Sequence, residues 1–130
     1  MSIKFSMKRS TRPAPTQQEL YRKGVYPPEF NNEFKASIRK RDGYRCTLCL
    51  QTEGQLGHSL DIHHINYTKY TVRVNCISLC RECHELVHSR RDAAFRAEWA
   101  GKLYRIACQR ERLRTRQDYV DAWRSLSHAR

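Results

Sequence analysis

Nowhere in its 130 residues does the chain carry 18 consecutive apolar residues, so a membrane-crossing helix is not expected. Met1 to Lys8 is basic with no apolar stretch behind it, which argues against a secretory leader. A cytoplasmic, reducing setting is therefore the expectation, and there paired cysteines serve metal more often than disulfides. Repeats and low-complexity tracts are missing, as is any glycine-rich loop of the kind that cradles nucleotide phosphates. Acidic residues are scarce: 13 Asp and Glu stand against 25 Lys and Arg, a formal net charge of +12. That imbalance points to a polyanionic partner, of which nucleic acid is the commonest. A chain this short holds one compact domain plus extensions, and a core so small usually needs a staple such as metal.

Residues 1–25 read as a basic flexible arm, with Lys4, Lys8, Arg9, Arg12, Arg22 and Lys23 punctuated by Pro13 and Pro15. Residues 26–91 read as the core. Tyr26-Pro27-Pro28-Glu29-Phe30 is a stiff connector, after which Asn31 or Asn32 can cap a helix running to about Asp42, with Gly43 as its stop. Residues 51–60 read as a loop or hairpin turn. Leu60 to Ile65 alternates as a half-buried strand does, residues 66–74 are a polar loop, and Cys76 to Leu79 is strand-like. Residues 92–130 read as a basic helical extension. In it Phe95, Trp99, Leu103, Ile106 and Leu113 mark one apolar face of a long helix from Asp92 to about Arg116, and a short helix follows around Tyr119 to Leu126.

Two Cys-x-x-Cys turns, Cys46/Cys49 and Cys80/Cys83, supply four thiolates, the tetrahedral set that zinc prefers. Four thiolates leave no open position, so such a site is structural. Redox pairs or two disulfides are the rival readings. Cys76 and Cys108 are left over and read as small buried residues. Four of the six histidines fall between residues 63 and 88. Adjacent strand residues face opposite ways, so of His63 and His64 one can bind metal while the other is free to take a proton. His84 and His88, at i and i+4 on a helix, can hold the same ion. Three imidazoles leave positions open for water and a phosphate oxygen, as a catalytic metal requires. Against this, a lone histidine is more often a satisfied polar residue than a ligand, and His84 can instead replace a cysteine at the zinc. His58 and His128 are assigned no role.

The run Cys46-x-x-Cys49, Asp61-Ile62-His63-His64-Ile65, Asn75, Cys80-x-x-Cys83-His84, then His88, resembles the zinc-containing HNH endonucleases of bacteria and phages. The Tyr26–Phe30 stretch and the Arg41-Asp42-Gly43-Tyr44-Arg45-Cys46 turn resemble the lead-in of its freestanding members, and the likeness spans roughly residues 26 to 90. It implies a small ββα-metal core with zinc knuckles; with the helices read above on either side, the chain is expected to be α+β, that core flanked by an N-terminal helix and long basic C-terminal helices. It further implies His64 as general base, His63, His84 and His88 as ligands of one catalytic divalent ion (Mg²⁺, Mn²⁺, Ni²⁺ or Zn²⁺), and Asn75 as the residue whose hydrogen bonds orient His64. The structural zinc falls to the four cysteines. Where this chain has His63 the family's commonest form has Asp, which softens the site towards transition metals. Cys76 replaces a usual Leu, and many relatives lack a residue like His88.

The activity implied is metal-dependent hydrolysis of DNA phosphodiester bonds, duplex foremost, leaving 5′-phosphate and 3′-hydroxyl ends. Arg45, Arg81, Arg90 and Arg91 flank the motif and can grip neighbouring phosphates. No base-reading module is visible, so sequence specificity is expected to be low. Two other readings stay open: a non-catalytic zinc module that binds DNA or RNA, and a partner-dependent phage or mobile-element factor docking through the Trp99 helix. The long C-terminal helix can also make a homodimer, and a phage or host protein partner belongs to the second of these readings.

Overall fold

The structure is a computed structural model and describes residues 26–127. The basic arm expected over residues 1–25 and the last residues of the C-terminal extension lie outside them. Element order is α1 (Asn32–Arg41), α2 (Glu53–Leu56), β1 (Asp61–His64), a 3₁₀ turn (Arg73–Asn75), β2 (Cys76–Leu79), α3 (Arg81–Val87), α4 (Ala93–Arg110) and α5 (Arg116–Ser127). The chain is thus α+β, a two-stranded antiparallel hairpin contacting helices. No helix among the described residues is long and apolar enough to cross a membrane.

Asn31 caps α1 by accepting the Phe34 N–H at 2.8 Å. Beyond α1, Gly43 takes the left-handed conformation, φ 72°, and turns the chain into the first Cys-x-x-Cys. Residues 51–60 differ from the expected loop: Thr52 and Gln55 form a capping box that winds Glu53–Leu56 into one helical turn. The strands pair Asp61 with Leu79, Ile62 with Ser78, His63 with Ile77 and His64 with Cys76.

Strand alternation divides the core in two. Ile62 and Cys76 meet Ile38, Phe30 and Phe34 on the α1 side. Ile77 and Leu79 join Leu103, Ala107, Cys108 and Val87 on the other side. Cys76 and Cys108 are fully buried.

The two expected C-terminal helices are both present with different bounds: α4 stops at Arg110 instead of running to about Arg116, and α5 begins at Arg116, ahead of Tyr119. Arg112 has a left-handed backbone, φ 63°, and the Leu113 N–H folds back to the Cys108 carbonyl at 3.1 Å. Thr115 and Asp118 then cap α5 reciprocally: the Asp118 N–H donates to Thr115 Oγ1 at 3.0 Å and the Thr115 N–H to Asp118 Oδ2 at 3.1 Å. The buried stripe of α4 is Ala100, Leu103, Tyr104, Ala107 and Cys108. It is rotated from the expected face, on which only Leu103 is fully buried and Phe95, Trp99 and Ile106 lie at the margin. Small residues let α4 come close to the 3₁₀ turn and β2, whereas the larger side chains cover the rim.

One carboxylate ties these layers together. Asp42 Oδ2 accepts the Ser78 N–H at 2.8 Å. Asp42 Oδ1 pairs with Arg41 at 2.9 Å and with Arg110 at 2.9 Å, its side chain fully buried. Arg41 continues the network to Glu111 at 3.0 Å. Asp42→Ala removes one partner from a buried ionic network and should cost about 3–5 kcal/mol in urea unfolding of the zinc-loaded protein. A loss under roughly 1 kcal/mol would reduce the network to the value of a surface pair.

Candidate metal centres and the cleft beside them

The four cysteines converge. Cys46, Cys49, Cys80 and Cys83 place their sulfurs within 4.8 Å of one another, and Cys49 Sγ lies 3.8 Å from Cys80 Sγ. A tetrahedron with zinc–sulfur bonds of about 2.3 Å has edges of about 3.8 Å, so the sulfurs sit near zinc-bound spacing. Each knuckle turns a backbone N–H onto sulfur: Cys49 N–H to Cys46 Sγ at 3.5 Å, and Cys83 N–H to Cys80 Sγ at 3.4 Å. The second of these is also the N-cap of α3, so the site and the helix start are one device. Burial pushes the Cys46 thiol up, but backbone N–H groups of Cys49, Cys80 and Leu48 prevail and bring it down to about 7, which favours the thiolate that zinc binds. The cluster is consistent with a structural zinc site, and His84 has no part in it.

The second cluster is His63, His84 and His88, whose ring nitrogens also lie within 4.8 Å of one another. β1 delivers His63, which is 1% exposed. Helix α3 delivers His84, and His88 is the residue that caps its C-terminal end. The rings meet edge to face, with centroids 5.3 Å apart for His63–His84, 5.0 Å for His63–His88 and 4.9 Å for His84–His88. His63 Nε2 is buried with no hydrogen-bond partner. An orphaned buried nitrogen is costly, and a divalent ion shared with His84 and His88 resolves it. Burial, then the charges of His84, His88 and His64, lowers the His63 pKa to about 2, so the imidazole stays in the neutral form a ligand needs. The donor set therefore fits a metal.

No family model, curated protein or solved structure matches this chain.

The remaining residues of the site are read from their contacts. His64, on the opposite side of β1, sits against Phe30 with centroids 4.5 Å apart and beneath Tyr26 at 6.0 Å. Its Nε2 lies 3.2 Å from Thr71 Oγ1, and the Thr71 hydroxyl donates to the Lys69 carbonyl at 3.0 Å. With that hydrogen committed, Thr71 offers a lone pair, so Nε2 carries the ring proton and Nδ1 the free pair. Burial first, then Lys69 and His84, lowers the His64 pKa to about 4. His63, His64, His84 and His88 share a cleft of about 140 Å³ with Tyr26, Tyr67 and Lys69.

Asn75 is fully buried. Its Oδ1 accepts the Asn66 N–H at 3.0 Å and its Nδ2 donates to the Tyr70 carbonyl at 2.8 Å. It thereby pins both ends of the loop that carries Lys69 and leads to Thr71, the loop on which His64 leans.

Of the four flanking arginines, two are engaged within the protein. Arg45 donates to the Leu50 carbonyl at 2.6 Å, and Arg90 pairs with Asp92 at 2.9 Å. Arg81 is exposed at the start of α3, and Arg91 is exposed ahead of α4.

Two site residues escaped sequence reasoning. Asp61 Oδ2 lies 3.1 Å from His84 Nδ1, an outer carboxylate that fixes the ring's tautomer and leaves Nε2 for metal. Its signal was its position two residues before His63, which puts both on one strand face. Tyr67 packs its ring 5.3 Å from both His63 and His88 and donates its hydroxyl to the Val87 carbonyl at 2.6 Å. Nothing in sequence distinguishes it from Tyr70, the other tyrosine of that loop.

Proposed function

We propose that the chain is a metal-dependent DNA endonuclease of the HNH type, with a ββα-metal core formed by β1, β2 and α3. The observation that carries this reading is the orphaned Nε2 of His63, whose ring meets those of His84 and His88, with His64 lining the same cleft. A closed cysteine set next to a three-histidine set with open positions separates a structural from a catalytic ion.

His63, His84 and His88 would hold the divalent ion, which when bound would supply charge neutralisation for phosphodiester hydrolysis. The chain's own residues do the rest. His64 Nδ1 takes a proton from the attacking water, with Thr71 holding the ring by Nε2. At neutral pH the imidazole is already in its accepting form. A bound phosphate adds negative charge opposite Lys69, which raises the basicity that Lys69 and burial lower in the free protein. Asp61 keeps His84 oriented, and Asn75 keeps the Thr71 loop in place.

The test is supercoiled-plasmid cleavage, first metal-free and then with Mg²⁺, Mn²⁺, Ni²⁺ or Zn²⁺. Metal-dependent nicking is expected. Tight DNA binding without cleavage in any metal would leave a zinc-stapled binding module. Duplex binding itself should weaken steeply with salt, by about 10³-fold between 50 and 200 mM if roughly six phosphates are contacted. A flat response in a titration across that range would remove the phosphate grip.

A further inference from the structure

Helix α4 brings one cation over the ring of Tyr67. The Arg96 guanidinium carbon lies 4.7 Å from the Tyr67 ring centre, and that ring touches His63 and His88. Arg96 is therefore one aromatic ring away from the three histidines. Tyr67 holds this position at a backbone cost: its φ is 62°, left-handed for a residue with a Cβ.

Among the described residues no acid neutralises Arg96. Its Nε is buried without an acceptor, and neither Arg91 nor Arg96 forms an ion pair among the described residues. Asp92, close by in sequence, is already occupied: one oxygen pairs with Arg90 at 2.9 Å and the other caps α4 through the Phe95 N–H at 3.2 Å. Arg91 and Arg96 line one groove of about 340 Å³, whose remaining wall is Asn66, Tyr67 and the small Ala93, Ala97 and Ala100. Two unpaired guanidinium groups in a concave, alanine-walled groove make a seat for an oxyanion with paired acceptor oxygens, and phosphate meets that geometry.

We propose that Arg96, with Arg91 across the groove, binds a backbone phosphate neighbouring the one hydrolysed, so that the cleaved strand runs from the histidine cleft over Tyr67 into this groove. The proposal rests on the nuclease reading for its DNA and on the groove alone for its anion. Tyr67 spaces the two phosphate positions, and the Arg96 contact adds binding and strand register without reading a base.

The test uses the full zinc-loaded chain carrying His64→Ala, so that DNA is not consumed. Arg96 Nε–H is followed by nitrogen-edited NMR while inorganic phosphate is added. Duplex binding is then measured by anisotropy across a salt series for the parent, Arg96→Gln, Arg96→Lys and Arg91→Gln. The Nε–H signal should move with phosphate. The slope of log affinity against log salt should fall by about 0.9 for each Gln variant and be largely kept by Arg96→Lys. A merely structural Arg96, stacked on Tyr67, would lower the melting temperature of Arg96→Gln and leave the slope unchanged. That result, with an unmoved Nε–H signal, overturns the seat while the nuclease stands. A phosphate-shifted signal in a chain that binds no duplex keeps the seat and sinks the nuclease. If Arg96→Gln does not fold, Arg91→Gln and Arg96→Lys decide the question.

Discussion

His64→Ala should lower metal-dependent plasmid nicking by about 10²–10⁴-fold, the usual contribution of a positioned general base. The reason is the division of labour along β1. His63 points into the three-histidine cluster, and His64 points the other way, against Phe30 and Thr71. Removing His64 leaves every cysteine and histidine ligand in place, so zinc content and the unfolding midpoint of the metal-loaded protein should change far less than activity. A structural role makes the opposite demand. His64 is 8% exposed and packs on two aromatic rings, and a packing residue would cut stability first, with activity returning at lower temperature. Added imidazole separates the two, because it can enter the space left by the deleted ring and restore proton transfer but not packing. Full nicking by a folded His64→Ala protein would remove His64 as the base.

Cys80→Ser should abolish the cooperative fold. Cys80 is 2% exposed, supplies one of four clustered sulfurs and caps α3, the helix that carries His84. Structural zinc contributes about 10–16 kcal/mol of apparent binding energy in small domains, as much as the whole stability of a typical domain. The variant, or the wild type treated with a strong chelator, should lose zinc and show no sharp thermal transition by circular dichroism. Cys76→Ser and Cys108→Ser are the controls. Both thiols are buried and neither belongs to the four-cysteine group, so those variants should keep zinc even where packing suffers. A Cys80→Ser protein that melts cooperatively without zinc would show that the hairpin and helices need no staple.

Much of the site was legible because spacing along a strand or helix is itself geometry. Two Cys-x-x-Cys turns announce a shared tetrahedral site wherever the fold brings them together. Adjacent histidines on a strand must diverge, and His84 and His88 must converge. Caps were readable where side-chain chemistry is local, as with Asn31 and Gly43. The boundary between the two C-terminal helices was misread because the apolar period runs past Leu113. The Thr115 and Asp118 capping pair that marks it lay in plain view. The buried stripe of α4 was misread for another reason: burial follows how closely helix and sheet approach, which favours Ala107 and Cys108 over the larger Phe95 and Trp99.

By itself the sequence determined the two Cys-x-x-Cys turns, the strand-forming segments, the i, i+4 spacing of His84 and His88 and the opposition of His63 to His64, because each depends on chemistry within a few residues. Only the tertiary structure decided which groups meet across the chain. Asp42 reaches Arg110, Asp61 orients His84, and Tyr67 stands between the histidines and Arg96. Those pairings depend on packing angles among β1, α3 and α4. Such angles are set by the summed contacts of the whole core, and no local pattern encodes them.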